Sequence, residues 1–138
     1  MKAITDEYHY IPIIDAGIKT SGSAYEKGIE MGVFVKEAGT GEPVKGQVWP
    51  GETAFVDFFH PNATEYWVGN LERLYEKVQF SGLWLDMNEY ANFCNGPCSP
   101  PSTNSTFDYA TDLPYQPGAD NIETKTLPLN SVHYGGHP

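Results

Sequence analysis

Two apolar runs of strand length constrain this chain more than any other feature. YHYIPIID (8–15) carries β-branched Ile11, Ile13 and Ile14 and is apolar on both faces after Pro12. FSGLWLD (80–86) repeats the pattern, and each run ends in an aspartate, Asp15 and Asp86. Between them lies the one strongly periodic segment. From Asn62 to Val78, the residues Trp67, Leu71, Leu74 and Val78 recur at spacings of four, three and four, which places them on one stripe of a helix. Strand, helix, strand predicts a parallel βαβ unit with both strands buried, and in barrels of such units the chemistry gathers at the C-terminal strand ends. Asp15 and Asp86 are then expected to face one mouth.

The remaining segments fit around that unit. GVFVK (32–36) and KGQVWP (45–50) flank the glycine-rich AGTGEP and predict a hairpin insertion. Residues 94–121, with Pro97, Pro100, Pro101, Pro114 and Pro117 among many Ser, Thr and Asn, read as a long loop inside one domain spanning 1–138.

Charge narrows the partners. With 18 acidic against 8 basic residues the chain carries a formal charge of −10, which repels nucleic acid backbones and anionic membranes. No stretch approaches the roughly 20 apolar residues of a membrane helix, and MKAITDEYHY lacks the apolar core of a signal peptide. His9, His60, His133 and His137 show no metal-ligand spacing, and two cysteines, Cys94 and Cys98, are too few for a four-ligand zinc site. Neither metal nor cofactor is expected. Asn62-Ala-Thr and Asn104-Ser-Thr are sequons, open to glycans in a secretory protein. Asn62 followed by Glu65 also reads as a helix cap, with which a glycan would compete.

Local sequence leaves Asp86 between two roles. DMNE (86–89) has the spacing of a capping box that starts a helix, and Asp15 could likewise cap the turn at AGIK. Alternatively the carboxylates do chemistry. Trp84, two residues before Asp86, shares its face of the strand, and Trp49 stands near Phe55, Phe58 and Phe59. Sugars pack flat C–H faces on aromatic rings and give their hydroxyls to carboxylates, so such a set suits a carbohydrate pocket. Phe55 and Phe59 are read as core, while Trp49 and Trp84 remain open between core and pocket wall.

GLWLDMNE (82–89) resembles the signature of glycoside hydrolase family 31, the α-glucosidases that include lysosomal acid and maltase-type enzymes. IIDAGI (13–18), GVFVK (32–36), GQVWPG (46–51), DFFHP (57–61), LPYQPG (113–118) and HYGG (133–136) resemble further family segments in the family's order. The resemblance implies a (β/α)8 TIM barrel and retaining hydrolysis of terminal α-linked glucose from maltose, maltooligosaccharides or starch ends. It implies Asp86 as nucleophile, with Asp15 hydrogen-bonding the hydroxyls of the bound glucose. Trp49, Trp84 and Met87 match residues lining that subsite, and Val35 stands where relatives often carry isoleucine. Asn88 and Glu89 match supporting positions, and Tyr90 replaces a common proline at what reads as a first helical turn. CNGPC (94–98) resembles the cysteine loop of secreted, plant-type members, which implies a Cys94–Cys98 disulfide and a parent in the secretory pathway, lysosomal, vacuolar or extracellular.

The resemblance also implies absences. The family's acid/base aspartate falls downstream of anything matched here, so the chain is expected to be a fragment holding about two central strands, inactive and poorly folded alone, whose partners are the remainder of the catalytic domain and an α-glucoside substrate. A non-catalytic carbohydrate-binding or regulatory relative is the competing reading. Within the family, an endoplasmic-reticulum glycan-trimming glucosidase or an α-xylosidase also fits.

Overall fold

The computed structural model describes residues 8–94, 98, 125–128 and 130–136. The sequon at Asn104, LPYQPG and the 94–121 loop apart from Cys94 and Cys98 lie outside the described residues.

The βαβ unit forms. Strand β1 (Ile13–Asp15) pairs in parallel with β6 (Trp84–Asp86), in the register Ile13↔Trp84, Ile14↔Leu85 and Asp15↔Asp86. The expected burial of both runs does not follow. Ile11, Ile13, Trp84 and Leu85 are exposed, on a sheet only two strands wide.

Between these strands the chain builds a compact insertion. Strand β2 (Gly17–Lys19) leads into α1 (Ser23–Met31), followed by β3 (Lys36–Glu37), β4 (Lys45–Val48), β5 (Gly51–Phe55) and α2 (Ala63–Lys77). The short β7 (Ser131–Val132) comes last and pairs antiparallel with β3. Strands β2, β5 and β4 form an antiparallel sheet in that order. The predicted hairpin closes only near its tip, where the Glu37 N–H donates to the Glu42 carbonyl at 2.8 Å and the Val44 N–H to Val35 at 2.9 Å. Beyond that point β4 leaves for β5 across the two-residue turn Trp49-Pro50, with Val48 opposite Gly51.

The strand period of two explains where the core sits. Ala54 and Val56 face one way, joining Val33, Phe34, Ala63 and Tyr66 under the two helices. Phe55 faces the other way, joining Val35, Val44 and Val48, with Met87, Tyr90 and Leu127 packed against them. The β5 segment is thus covered on both faces, by helices on one and by the turn after β6 on the other.

Helix α2 begins where the sequence marks it, but Asn62 does not cap with its side chain. Its backbone is already αR, and its Nδ2 donates instead to the Met31 carbonyl at 3.3 Å, tying the end of α1 to the start of α2. The packing also shifts along the helix. Ala63 and Tyr66 are the buried residues, whereas Leu71, Leu74 and Val78 stay half-buried. Tyr66 donates its hydroxyl to the Ala24 carbonyl at 2.9 Å, and burial pushes its phenol up to about 12 against a smaller opposing pull from Arg73.

Helix α1, which the sequence reading does not mark, packs through a glycine. A Cβ on Gly28 would lie 2.2 Å from Phe34 Cζ. Gly28→Ala gains up to ~1 kcal/mol of helix propensity but overpacks at a typical cost of ~1–3 kcal/mol. A lower thermal midpoint is the expected result, and an unchanged or raised one would contradict this packing.

Candidate active site

The register of β1 and β6 decides the geometry of the site. In a parallel pair, residues in register point to the same face, and strands lie about 4.8 Å apart. Asp15 and Asp86 are therefore neighbours at two adjacent strand ends. Their proximity is felt electrostatically. Burial, and secondly the Asp86 charge, raise the Asp15 carboxyl above its ordinary 3.8. One Asp15 oxygen, Oδ1, is buried and finds no hydrogen-bond partner among the described residues. Asp15 also borders a crevice against α2, with Ile18, Trp67 and Leu71 on its walls.

This raised pKa has a definite sign. A carboxyl that holds its proton more tightly in the folded state contributes fully below about pH 3.8, and that contribution is lost as pH rises through the raised value. Asp15→Asn should accordingly raise the thermal midpoint at neutral pH and leave it unchanged at about pH 3. A shift that is the same at both pH values would remove the electrostatic cause.

After Asp86 the chain turns sharply. The Asp86 Oδ1 accepts the Met87 N–H at 2.9 Å, and Met87 adopts a left-handed φ of 59°. Non-glycine residues seldom hold such a backbone, and those that do cluster at functional sites. Residues 88–90 form a turn rather than the helix that the DMNE spacing suggests. The capping reading fails here because the carboxylate takes the very next N–H, not one a turn further on, and Tyr90 accordingly lies in no helix. The Ala91 N–H returns to the Met87 carbonyl at 3.3 Å and closes the turn. Asn88 and Glu89 sit exposed upon it.

The two tryptophans are open to solvent, Trp84 at 59% and Trp49 at 76% exposure, so neither is core in this structure. Trp49 rides the β4–β5 turn and meets Phe93 edge to face at 4.8 Å. Asn92, buried, fixes this arrangement. Its Oδ1 accepts the Gln47 N–H at 2.9 Å and its Nδ2 donates to the Thr126 carbonyl at 3.2 Å, while the Phe93 N–H donates to the Gln47 carbonyl. The segment that follows Asp86 is thereby bonded to the strand that carries Trp49. Cys94 and Cys98 next to it are joined by a disulfide, with Cα atoms 5.3 Å apart. Val35, by contrast, is fully buried in the second core cluster and lies beneath Met87 rather than on an open wall.

Phe59, expected in the core, is 73% exposed. Asp57 occupies the interior instead, and by accepting the Phe59 N–H at 3.0 Å it turns the Phe58–Phe59 pair outward. Asp57, Asn92 and His133 are organising residues that the sequence did not single out. Among the described residues, no group of three or more His, Cys, Asp and Glu could hold a metal, and no helix is long and apolar enough to cross a membrane.

Residues 1–131 match the TIM-barrel domain of glycosyl hydrolases family 31. The chain belongs to glycoside hydrolase family 31. It is 39% identical over 152 residues to the lysosomal alpha-glucosidase of Bos taurus, covering 98% of this chain and 16% of that protein. Against the lysosomal acid alpha-glucosidase of Tetrahymena pyriformis the identity is 36% over 152 residues, with 96% and 16% covered. In fold it is similar to a solved structure, the glucosidase II alpha subunit, with a TM-score of 0.66 at 24% identity over 99% of this chain and 12% of that one. Family membership makes β1 and β6 strands of a TIM barrel, of which this chain holds a part. It spans about a sixth of the length of the two lysosomal relatives.

Proposed function

We propose that this chain is the nucleophile-bearing part of a retaining α-glucosidase that removes terminal α-linked glucose from maltose, maltooligosaccharides or starch ends. The in-register pairing of Asp15 with Asp86 carries the reading. Asp86 attacks the anomeric carbon, the glycosidic bond breaks, and an acid from elsewhere in the barrel gives its proton to the leaving oxygen. Water then attacks the glycosyl ester, losing its proton to that same group, and configuration is retained. Asp15 accepts hydrogen bonds from the sugar hydroxyls, and sugar packing replaces solvent on Trp84 and Trp49. Met87 completes the wall, Asn88 and Glu89 keep a supporting role from the exposed turn, and Val35 belongs to the core cluster on which Met87 packs.

The relatives' names support the substrate class, and identities of 36% and 39% to lysosomal glucosidases exceed the 24% to glucosidase II. A secretory destination agrees with the disulfide, which oxidising compartments preserve. Incubating the full-length enzyme that carries this chain with an activated fluorinated α-glucosyl donor tests the reading. Peptide mapping should find the sugar esterified to Asp86, and a label on another carboxylate would overturn the assignment.

A further inference from the structure

A buried carboxylate needs partners, and those of Asp57 join two separate parts of the chain, its own segment and the one at 133–134. Asp57 is 2% exposed, two residues beyond β5. Its Oδ1 accepts the Phe59 N–H at 3.0 Å and faces His133 Nδ1 at 2.9 Å, and its Oδ2 accepts the Tyr134 N–H. A carboxylate only accepts, so Nδ1 of His133 carries the proton. The His133 ring is held by this bond in a place where packing uses it. Its edge meets Phe59 at 5.3 Å, and it lies tilted by 30° against Tyr90 at 6.1 Å.

Tyr90 is gripped from the other sides as well. It stacks on Phe58 at 6.2 Å, meets Phe55 edge to face at 5.8 Å and donates its hydroxyl to the Val56 carbonyl at 2.8 Å. Burial raises its phenol, so the hydroxyl keeps the proton it donates. This residue ends the turn that begins at left-handed Met87, whose N–H holds Asp86. Polar networks of this kind select one arrangement among several, which is what an uncommon backbone needs to persist.

We infer that Asp57 and His133 are positioning residues that act through Tyr90 to hold the turn that aims Asp86 at the anomeric carbon. The inference rests on the nucleophile reading of Asp86. In the full-length enzyme, His133→Leu should lower kcat by roughly 10- to 100-fold, the usual cost of a displaced reacting group, with KM within about 3-fold of wild type. Covalent labelling of Asp86 by the fluorinated donor should slow in parallel. His133→Asn, whose amide can donate to Asp57 as Nδ1–H does, should recover most of the loss. Tyr90→Leu should reproduce the defect, and the double variant with His133→Leu should be no worse than the poorer single one.

Rates are expressed per mole of folded enzyme, so a purely structural role would appear as lost protein at unchanged kcat, and that result overturns the inference. Should His133→Leu fail to fold, Tyr90→Leu and His133→Asn decide by the same readouts. The two readings fail separately. Turnover retained by Asp86→Asn removes the nucleophile reading, whereas a dead Asp86→Asn beside a His133→Leu of normal kcat removes only the positioning role.

Discussion

Asp86→Asn in the full-length enzyme is expected to reduce kcat on an aryl α-glucoside by about 10⁴-fold or more, since an amide cannot form the glycosyl ester. The fluorinated donor should leave this variant unlabelled while substrate still binds. The size of the effect follows from position. Asp86 ends β6 beside Asp15, and its Oδ1 is oriented by the Met87 N–H at 2.9 Å. Asp86→Gly gives a complementary result, because added azide can enter the vacated face and yield a β-configured glucosyl azide. Ordinary turnover by Asp86→Asn would assign Asp86 a different role. A wild-type parent that binds glucosides without hydrolysing them would instead favour a non-catalytic relative.

Phe55→Ala should produce the largest loss of stability, on the order of 3–5 kcal/mol, typical for removing a fully buried aromatic ring. Phe55 fills the second core cluster against Val35, Val44 and Val48 and meets Tyr90 edge to face. Its fit depends on Gly46 on the neighbouring strand, where a Cβ would stand 2.4 Å from the ring. Phe59→Ala, at an exposed ring four residues further on, is the matched control and should shift the thermal midpoint far less. Equal shifts in the two variants would contradict the division between inward and outward phenylalanines.

The difference between these two residues shows what the sequence could reveal. Two apolar runs and the helical periodicity between them exposed the βαβ unit, with an aspartate at each strand end. Phe55 and Phe59 are alike by hydropathy, yet Phe55 faces inward from β5 while the Phe59 N–H donates to Asp57 and its ring turns out. Asn62 carries every local mark of a cap, and a carbonyl 31 residues earlier takes its amide. His133 and Asp57 are 76 residues apart and meet only in the folded chain. For Asn62 and for the His133–Asp57 pair a contact distant in sequence overrides a local preference, so no short window holds the signal. The positions of Asp15, Trp84 and Asp86 were legible because they lie on the very strands that the pattern discloses.

The pairing Ile13↔Trp84, Ile14↔Leu85, Asp15↔Asp86 acts as a ruler. The gap between the two carboxylates is set by the spacing of main chains, and main-chain hydrogen bonds survive nearly every substitution. A slip of one residue would turn Asp86 to the opposite side of the sheet, so intermediate spacings are not available. Loops such as the β4–β5 turn can therefore be rebuilt while the distance from Asp15 to Asp86 stays the same. The turn that carries Trp49 and the strands that carry the two aspartates are in this way separable parts of the chain.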